Sequence, residues 1–317
     1  MFVMVFMNRI HVKGTGKVSL NKFEVVITVI ESGSLTKAGE ILGLTQSAIS
    51  HAIASLEREF GFSLLTRGRS GISLTSNGER LLPYMRETLR CHRRMKQEAF
   101  AINGLEVGTV RIGTFTSVST QWLPGILKRF QDQYPAIEIK LMEGYYDGIE
   151  SWIQTGEIDF GFVSLPTTED LEWIPLKKDQ MYLLVTEEHP LYKEERVHVS
   201  RLAEETFIMP KTGCDNDIQR LLAQYQIEPR IKYEVGDDHA IIAMVQNGLG
   251  ISILPEMILF RLPANIRMIP LEGEHYRSLG VAATSFAKQS PAAKRFLQCV
   301  TDWVNEQQAS FRQTNRS

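Results

Sequence analysis

Apolar residues recur with two different periods along the chain, and the change of period divides it into two parts. Between positions 19 and 60 they return every three or four residues, as in amphipathic helices. This spacing predicts a helix over 20–31, a second that Ser34 caps, and a third over 45–60. Beyond position 104, short apolar strands alternate with helical segments, a pattern typical of α/β folds.

The second and third helices are separated only by a short break at Gly43-Leu44, as in a helix-turn-helix. The first turns of the third helix are rich in side chains that can hydrogen-bond to base edges and phosphates. We therefore predict DNA binding by this part of the chain. The candidate contacts are Ser34, Gln46, Ser47, Ser50 and His51.

Positions 64–74 read as strand, turn, strand, which predicts a β-ribbon wing after the third helix. Arg67 and Arg69 stand in this wing, where they could meet phosphates or enter a minor groove. The alternative is that both are solvated loop arginines. A long helix is then predicted from Thr75 to about Gly104.

The long helix carries Leu82, Met85 and Leu89 at alternating spacings of three and four, as in a coiled-coil seam. One helix cannot bury its own apolar stripe, so these residues predict a dimer helix. His92 and Lys96 continue the stripe and weaken it. The alternative is a basic helix that packs only within its own chain.

Charge is distributed unevenly. The chain as a whole has a net charge of −2, but up to Asn103 there are 14 Lys and Arg against 8 Asp and Glu, and after it 21 against 29. A basic N-terminal part joined to an acidic remainder fits a nucleic-acid-binding module attached to another domain. The alternative is a chance scatter of surface charge.

Cysteine usage and hydropathy indicate the cytoplasm. Cys91, Cys214 and Cys299 have no CxxC spacing, and an odd number leaves at least one unpaired. No run approaches the ~20 apolar residues that a membrane span needs. Positions 1–18 read as an N-terminal extension, either a disordered arm or the product of an upstream start codon.

Two loops in the α/β part follow a predicted strand and precede a predicted helix, the place where open α/β sheets bind ligands. The loop over 114–120 holds five hydroxyl groups, more than helix capping needs, and the loop over 209–214 holds a lysine. Helix N-termini attract anions, so we expect a small anionic effector. The candidate contacts in these loops are Thr114, Thr116, Ser117, Ser119, Lys211, Thr212 and Gly213.

Several motifs over about sixty residues occur in the order of one known family. They are Glu31-x-Gly33-Ser34-x-x-x-Ala38, Thr45-Gln46-Ser47-Ala48-Ile49-Ser50, Gly61-x-x-Leu64-Leu65-x-Arg67 and Leu74-Thr75-x-x-Gly78. In these the chain resembles LysR-type transcriptional regulators. It departs from their pattern at Gly39, where Ala is usual, and at Leu65, where Phe is usual.

The resemblance implies a fold: an N-terminal all-α winged helix-turn-helix over 19–78, a linker and dimerisation helix over 75–104, and a two-lobed α/β effector domain over 105–308, like periplasmic binding proteins. Lobe one is expected over 107–165 and 266–308, and lobe two over 166–265. The alternating strands and helices predict mainly parallel sheets. By resemblance Val163, Ser164 and Asp238 join the effector site between the lobes.

The resemblance also implies partners: a pseudo-palindromic double-stranded DNA operator, further copies of the chain in a homodimer or homotetramer, a small-molecule effector and RNA polymerase. It implies neither a catalytic activity nor a bound cofactor or metal. Cys214 leaves a thiol-based redox sensor open, although no second cysteine follows within a few residues. A two-lobed solute-binding protein or small enzyme is the remaining alternative, but the chain lacks a secretion signal and a recognisable catalytic set.

Overall fold

The computed structural model describes residues 19–68, 71–213 and 216–314. The chain forms two compact units that divide between Met95 and Lys96. Three of the predictions lie outside the described residues: the N-terminal extension, Arg69 and Cys214.

The N-terminal unit is a three-helix bundle followed by a two-stranded wing and a long helix. The strands of the wing pair antiparallel, from Leu65 opposite Leu74 to Gly68 opposite Gly71. The predicted winged helix-turn-helix is confirmed. Its elements are α1 (Leu20–Ser32), α2 (Leu35–Leu42), α3 (Gln46–Phe60), β1 (Leu65–Gly68), β2 (Gly71–Leu74) and α4 (Ser76–Ile102).

Local hydrogen bonds set the ends of α2 and α3. The Ser34 side chain accepts a hydrogen bond from the Lys37 amide at 3.4 Å, and Thr45 accepts one from the Ala48 amide at 3.2 Å, so both helices have a side-chain cap. Between them Gly43 adopts φ 65°, a left-handed conformation that glycine enters without strain. These features make the turn between the two helices short.

The core of the N-terminal unit covers one face of α4. Leu82, Met85 and Leu89 are only 9%, 3% and 8% exposed and belong to the same cluster as Val29 of α1 and Leu56 of α3. The three residues that were predicted to form the apolar seam of a dimer therefore pack within the chain. Their spacing correctly marks a buried face of α4, but the chain itself covers that face.

The second unit contains helices and strands in alternation. Its helices are α5 (Thr116–Gln121), α6 (Leu123–Gln133), α7 (Tyr146–Thr155), α8 (Asn216–Gln224), α9 (Asp238–Gln246) and α10 (Pro291–Thr314). Its strands are β3 (Gly108–Thr114), β4 (Ile137–Glu143), β5 (Phe160–Leu165), β6 (Glu172–Thr186), β7 (Thr206–Pro210), β8 (Arg230–Val235), β9 (Ser252–Pro255), β10 (Ile266–Pro270) and β11 (Tyr276–Ala283).

Strand β6 runs through two lobes. Its first half pairs with β11, which continues through β5 and β3 to β4 in lobe one. Its second half pairs with β9 and β10 in lobe two, where β7 and β8 form a parallel pair. The hydrophobic residues divide in the same way, with one large cluster in lobe one and two clusters in lobe two.

Two details differ from the sequence-based expectations. The sheets are mixed rather than mainly parallel, because β11 and β6 run antiparallel to their neighbours. The chain also returns to lobe one later than expected. Ile266–Pro270 pairs with the second half of β6 and so belongs to lobe two, and the return strand is β11. Periodicity identifies a strand but not the strand that it pairs with.

A prediction concerns Gly78, on α4. A Cβ atom at this position would lie 2.2 Å from the Leu64 carbonyl oxygen, a backbone atom that cannot move aside easily. We expect Gly78→Ala to lower the free energy of unfolding of the N-terminal unit by about 1–3 kcal/mol, because overpacking outweighs the gain in helix propensity. Differential scanning calorimetry of the full chain measures this change.

Gly148→Ala, in helix α7, is the matched control. A Cβ atom there meets nothing within 4 Å, so the same substitution should be neutral or stabilising by up to about 1 kcal/mol. Equal responses of the two variants would contradict the packing described at Gly78.

Candidate DNA-binding surface and effector cavity

The first turns of α3 present polar side chains on one face and apolar side chains on the other. Gln46, Ser47 and His51 are exposed and Ser50 is half-buried, whereas Ile49 on the same turns is fully buried. This arrangement lets the helix pack on its own core and offer hydrogen-bonding groups outward. The predicted contacts of the third helix therefore lie together on one accessible face.

The other two described candidates for DNA contact occupy different elements. Ser34 is half-buried, and its hydroxyl accepts the hydrogen bond that caps the N-terminus of α2. Arg67 is exposed on β1, opposite Ile72 of β2. An arginine on a short ribbon can contact phosphate without any change in the fold.

A cavity of about 370 Å³ lies between the lobes of the second unit. This volume falls within the range that small-molecule sites occupy. Three of the predicted effector residues, Thr116, Ser117 and Asp238, line it. Further lining residues include Phe115, Glu143, Gly144, Tyr145, Tyr146, Met181, Pro210, Asp217, Ile218, Gly236, Leu254, Pro255, Ile258 and Arg277.

The remaining predicted effector residues are not among those that line this cavity. The Thr114 and Ser119 hydroxyls bond to each other at 3.2 Å, and Val163 is fully buried in the core of lobe one. Lys211 and Thr212 are exposed. Gly213 is buried, and its carbonyl oxygen accepts a hydrogen bond from the Tyr146 amide at 3.1 Å.

Ser164 joins the lobes instead of lining the cavity. Its hydroxyl lies 2.9 and 3.0 Å from the two carboxylate oxygens of Asp217, to which it donates across the lobes. Asp217 also forms an ion pair with Arg220 at 2.6 Å. The Asp217 charge is thus balanced by residues of the protein, although its side chain reaches the cavity.

The residue that organises the lobe-one wall is Arg277, which the sequence analysis missed. It is almost completely buried, and its guanidinium pairs with the buried Asp179, with Nε and Nη2 at 2.8 and 2.7 Å from Oδ2. Nη2 also donates to the Ser117 hydroxyl at 2.6 Å, and Nη1 donates to the Tyr146 hydroxyl at 2.8 Å. Four of its five N–H groups are engaged in this way, which leaves one Nη1 hydrogen for a ligand.

Burial changes the titration of two groups that line the cavity. It raises the pKa of Tyr146 strongly, because loss of hydration outweighs the opposing effect of the nearby Arg277. It likewise raises the pKa of Asp238, with a smaller contribution from the neighbouring Asp237 and an opposing one from Arg277. The main cause of both shifts is the same, namely the loss of hydration on burial in the cleft.

Other kinds of site are not apparent in the described residues. Within 19–68, 71–213 and 216–314, no group of three or more His, Cys, Asp or Glu side chains is arranged to hold a metal ion. In the same ranges no helix has the length and hydropathy of a membrane span. Cys91 is exposed and Cys299 is buried, and both are free thiols.

Comparison with known families agrees with both units. The model of the bacterial regulatory helix-turn-helix protein, lysR family, matches residues 20–79. The model of the LysR substrate binding domain matches residues 103–305. Together the two matches cover nearly the whole of the described chain.

Individual relatives match along most of their length. The HTH-type transcriptional regulator YvbU of Bacillus subtilis is 34% identical over 283 residues, which are 88% of this chain and 97% of the relative. A full-length OxyR from Pseudomonas aeruginosa has the same fold, with a TM-score of 0.74 and 21% identity over 91% of this chain and 95% of that one.

A third similar protein contains only the effector domain. It is the regulatory domain of CcmR from Synechocystis in complex with 2-PG, 25% identical, with a TM-score of 0.57 over 61% of this chain and 96% of that one. The family models and the long alignment with YvbU establish what the fold and the cavity indicated. The chain belongs to the LysR family of bacterial transcriptional regulators and joins a DNA-binding helix-turn-helix domain to a LysR substrate binding domain.

Proposed function

We propose that α3 reads the operator in the major groove through Gln46, Ser47, Ser50 and His51. The observation that carries this proposal is the exposure of polar side chains at the start of α3 above a fully buried Ile49. Gln46 can pair bidentately with adenine, while the hydroxyls and the imidazole can serve bases or phosphates. Arg67 on the wing, with Arg69 beside it in the sequence, would add affinity that is independent of base sequence.

The effector is proposed to bind in the 370 Å³ cavity between the lobes. Both lobes contribute lining residues, for example Ser117 from lobe one and Asp238 from lobe two. A ligand that touches both lobes favours the arrangement in which they are closest, and a conformational equilibrium shifts only through such differential affinity. Binding here is proposed to regulate transcription rather than to begin a catalysed reaction, and to take place in the cytoplasm, where the DNA is.

The dimer is proposed to form along the outer face of α4, opposite the face that packs on the core. Tyr84, Met95 and Ile102 are 72%, 61% and 79% exposed, and the exposed Cys91 lies between them. Their spacings of seven, four and seven place them on one stripe of a helix. Two copies joined along this stripe would supply the two half-sites of a pseudo-palindromic operator.

A prediction tests DNA recognition. An operator is first selected from a random double-stranded DNA library with the wild-type chain. Gln46→Ala should then relax specificity by about 1–3 kcal/mol at one base pair, whereas Arg67→Ala should weaken all sites alike and lower the salt dependence of binding. Gln131→Ala, on the exposed side of α6, is the matched control and should change neither quantity. Unaltered affinity and preference in both test variants would mean that α3 does not read the site.

A second prediction separates assembly from folding. Met95→Glu places a carboxylate in the proposed interface, so it should dissociate the oligomer while leaving helical content unchanged. Leu89→Glu places one in the core of the N-terminal unit and should unfold that unit instead. Sedimentation velocity and circular dichroism of both variants distinguish these effects. A Met95→Glu chain that still sediments as wild type would place the interface elsewhere.

A further inference from the structure

The charges around the cavity do not match the anionic effector that the sequence suggested. Arg277, the one cation among the described lining residues, is neutralised by Asp179. Asp217 is likewise neutralised by Arg220. Among the described lining residues, two further carboxylates have no ion-pair partner: that of Glu143, which is exposed, and that of Asp238, which is half-buried.

Asp238 is the more informative of the two. Among the described residues, its carboxylate has no hydrogen-bond or ion-pair partner, although it lines the cavity. It is not needed to cap α9, because the neighbouring Asp237 already accepts a hydrogen bond from the Ala240 amide at 2.8 Å. The position of Asp238 is therefore not explained by the helix that carries it.

Burial makes this unpaired carboxylate unfavourable. Loss of hydration is the main reason why the pKa of Asp238 is raised, and the attraction of Arg277 and, less strongly, of His239 offsets it only in part. A buried charge is stabilised by a counter-charge that enters with the ligand. The chemistry of lobe two thus favours a positively charged group.

Lobe one offers the complementary chemistry. The Ser117 and Tyr146 hydroxyls accept hydrogen bonds from Arg277, so their own protons are free to be donated. Together with the remaining Nη1 hydrogen of Arg277, they make three donors on residues that line the cavity. These three donors can form hydrogen bonds with the oxygen atoms of a carboxylate or carbonyl group.

We propose that the effector carries a protonated amine that pairs with Asp238 on lobe two, and acceptor oxygens that meet Arg277, Ser117 and Tyr146 on lobe one. An amino-acid-like zwitterion has both groups and would join the two lobes. This inference rests on the proposed function, since it names the ligand class of the same cavity.

The test uses sets of small molecules that share a side chain and carry the α-amino group, the α-carboxylate or both. They are L-phenylalanine, 2-phenylethylamine and 3-phenylpropionate; L-leucine, 3-methylbutylamine and 4-methylpentanoate; and L-glutamate, 4-aminobutyrate and glutarate. Thermal unfolding of the full chain is followed with each compound. In at least one set the amino compounds should raise the unfolding midpoint by about 3 °C or more when present about tenfold above their Kd. The matched acid should not.

Asp238→Asn should weaken binding of the stabilising amine at least about tenfold, since it removes the counter-charge and keeps the shape. Asp237→Asn is the matched control. It removes the same charge one residue away, at a position that does not line the cavity, and Asn caps a helix as well as Asp does. Asp238→Ser replaces Asp238→Asn if the latter fails to fold.

Stabilisation by the acids alone, an equal response of Asp238→Asn and the wild type, or no response to any compound would each overturn the inference. Operator selection is measured without ligand. If the wild-type chain selects no operator from the DNA library, the proposed DNA recognition is overturned, whereas the proposed ligand class is unaffected.

Discussion

The effector domain depends on the buried ion pair between Arg277 and Asp179. The two residues lie opposite each other on the adjacent strands β11 and β6. The other oxygen of Asp179 accepts a hydrogen bond from the Met257 amide at 3.2 Å, just after β9 of lobe two. Removing one partner of such a pair leaves an uncompensated charge and commonly costs about 3–5 kcal/mol. The pair therefore fixes the place where the lobes meet.

The same pair determines what the cleft can recognise. Because Asp179 neutralises Arg277, the guanidinium acts on the cavity as a set of directed N–H groups more than as a free positive charge. It also orients the Ser117 and Tyr146 hydroxyls by donating to both. The lining charges without an ion-pair partner among the described residues are consequently the carboxylates of Glu143 on lobe one and Asp238 on lobe two. Counting charged residues near the cleft would not reveal this division.

The N-terminal unit was readable from the sequence because its determinants are local. Ser34 and Thr45 cap their helices by accepting hydrogen bonds from amides three residues later in the sequence. The turn at Gly43 depends on the backbone conformation of that residue itself. Arg277 was not readable, because its partners are 98, 131 and 160 positions away in the sequence. Its own segment looks like an ordinary strand.

Two further misses have the same origin. The first half of β6 holds Lys177, Lys178 and Asp179, so it lacks the apolar run that marks a buried strand, and its pairing with β11 is long-range. On α4, the stripe through Leu82 and Leu89 has the spacing of a helix–helix interface, but spacing does not say which helices cover it. A pattern shows that a face is buried, and only tertiary structure shows what buries it.

The uneven charge distribution along the chain determines how strongly its two parts are attracted to DNA. The basic residues up to Asn103 outnumber the acidic ones by 14 to 8, and the excess lies before position 19 and on α4, because positions 19–78 hold five of each. The acidic remainder, with 29 acidic against 21 basic residues, is repelled by DNA phosphates. Electrostatic attraction to DNA, which is independent of base sequence, therefore acts mainly on the N-terminal part of the chain.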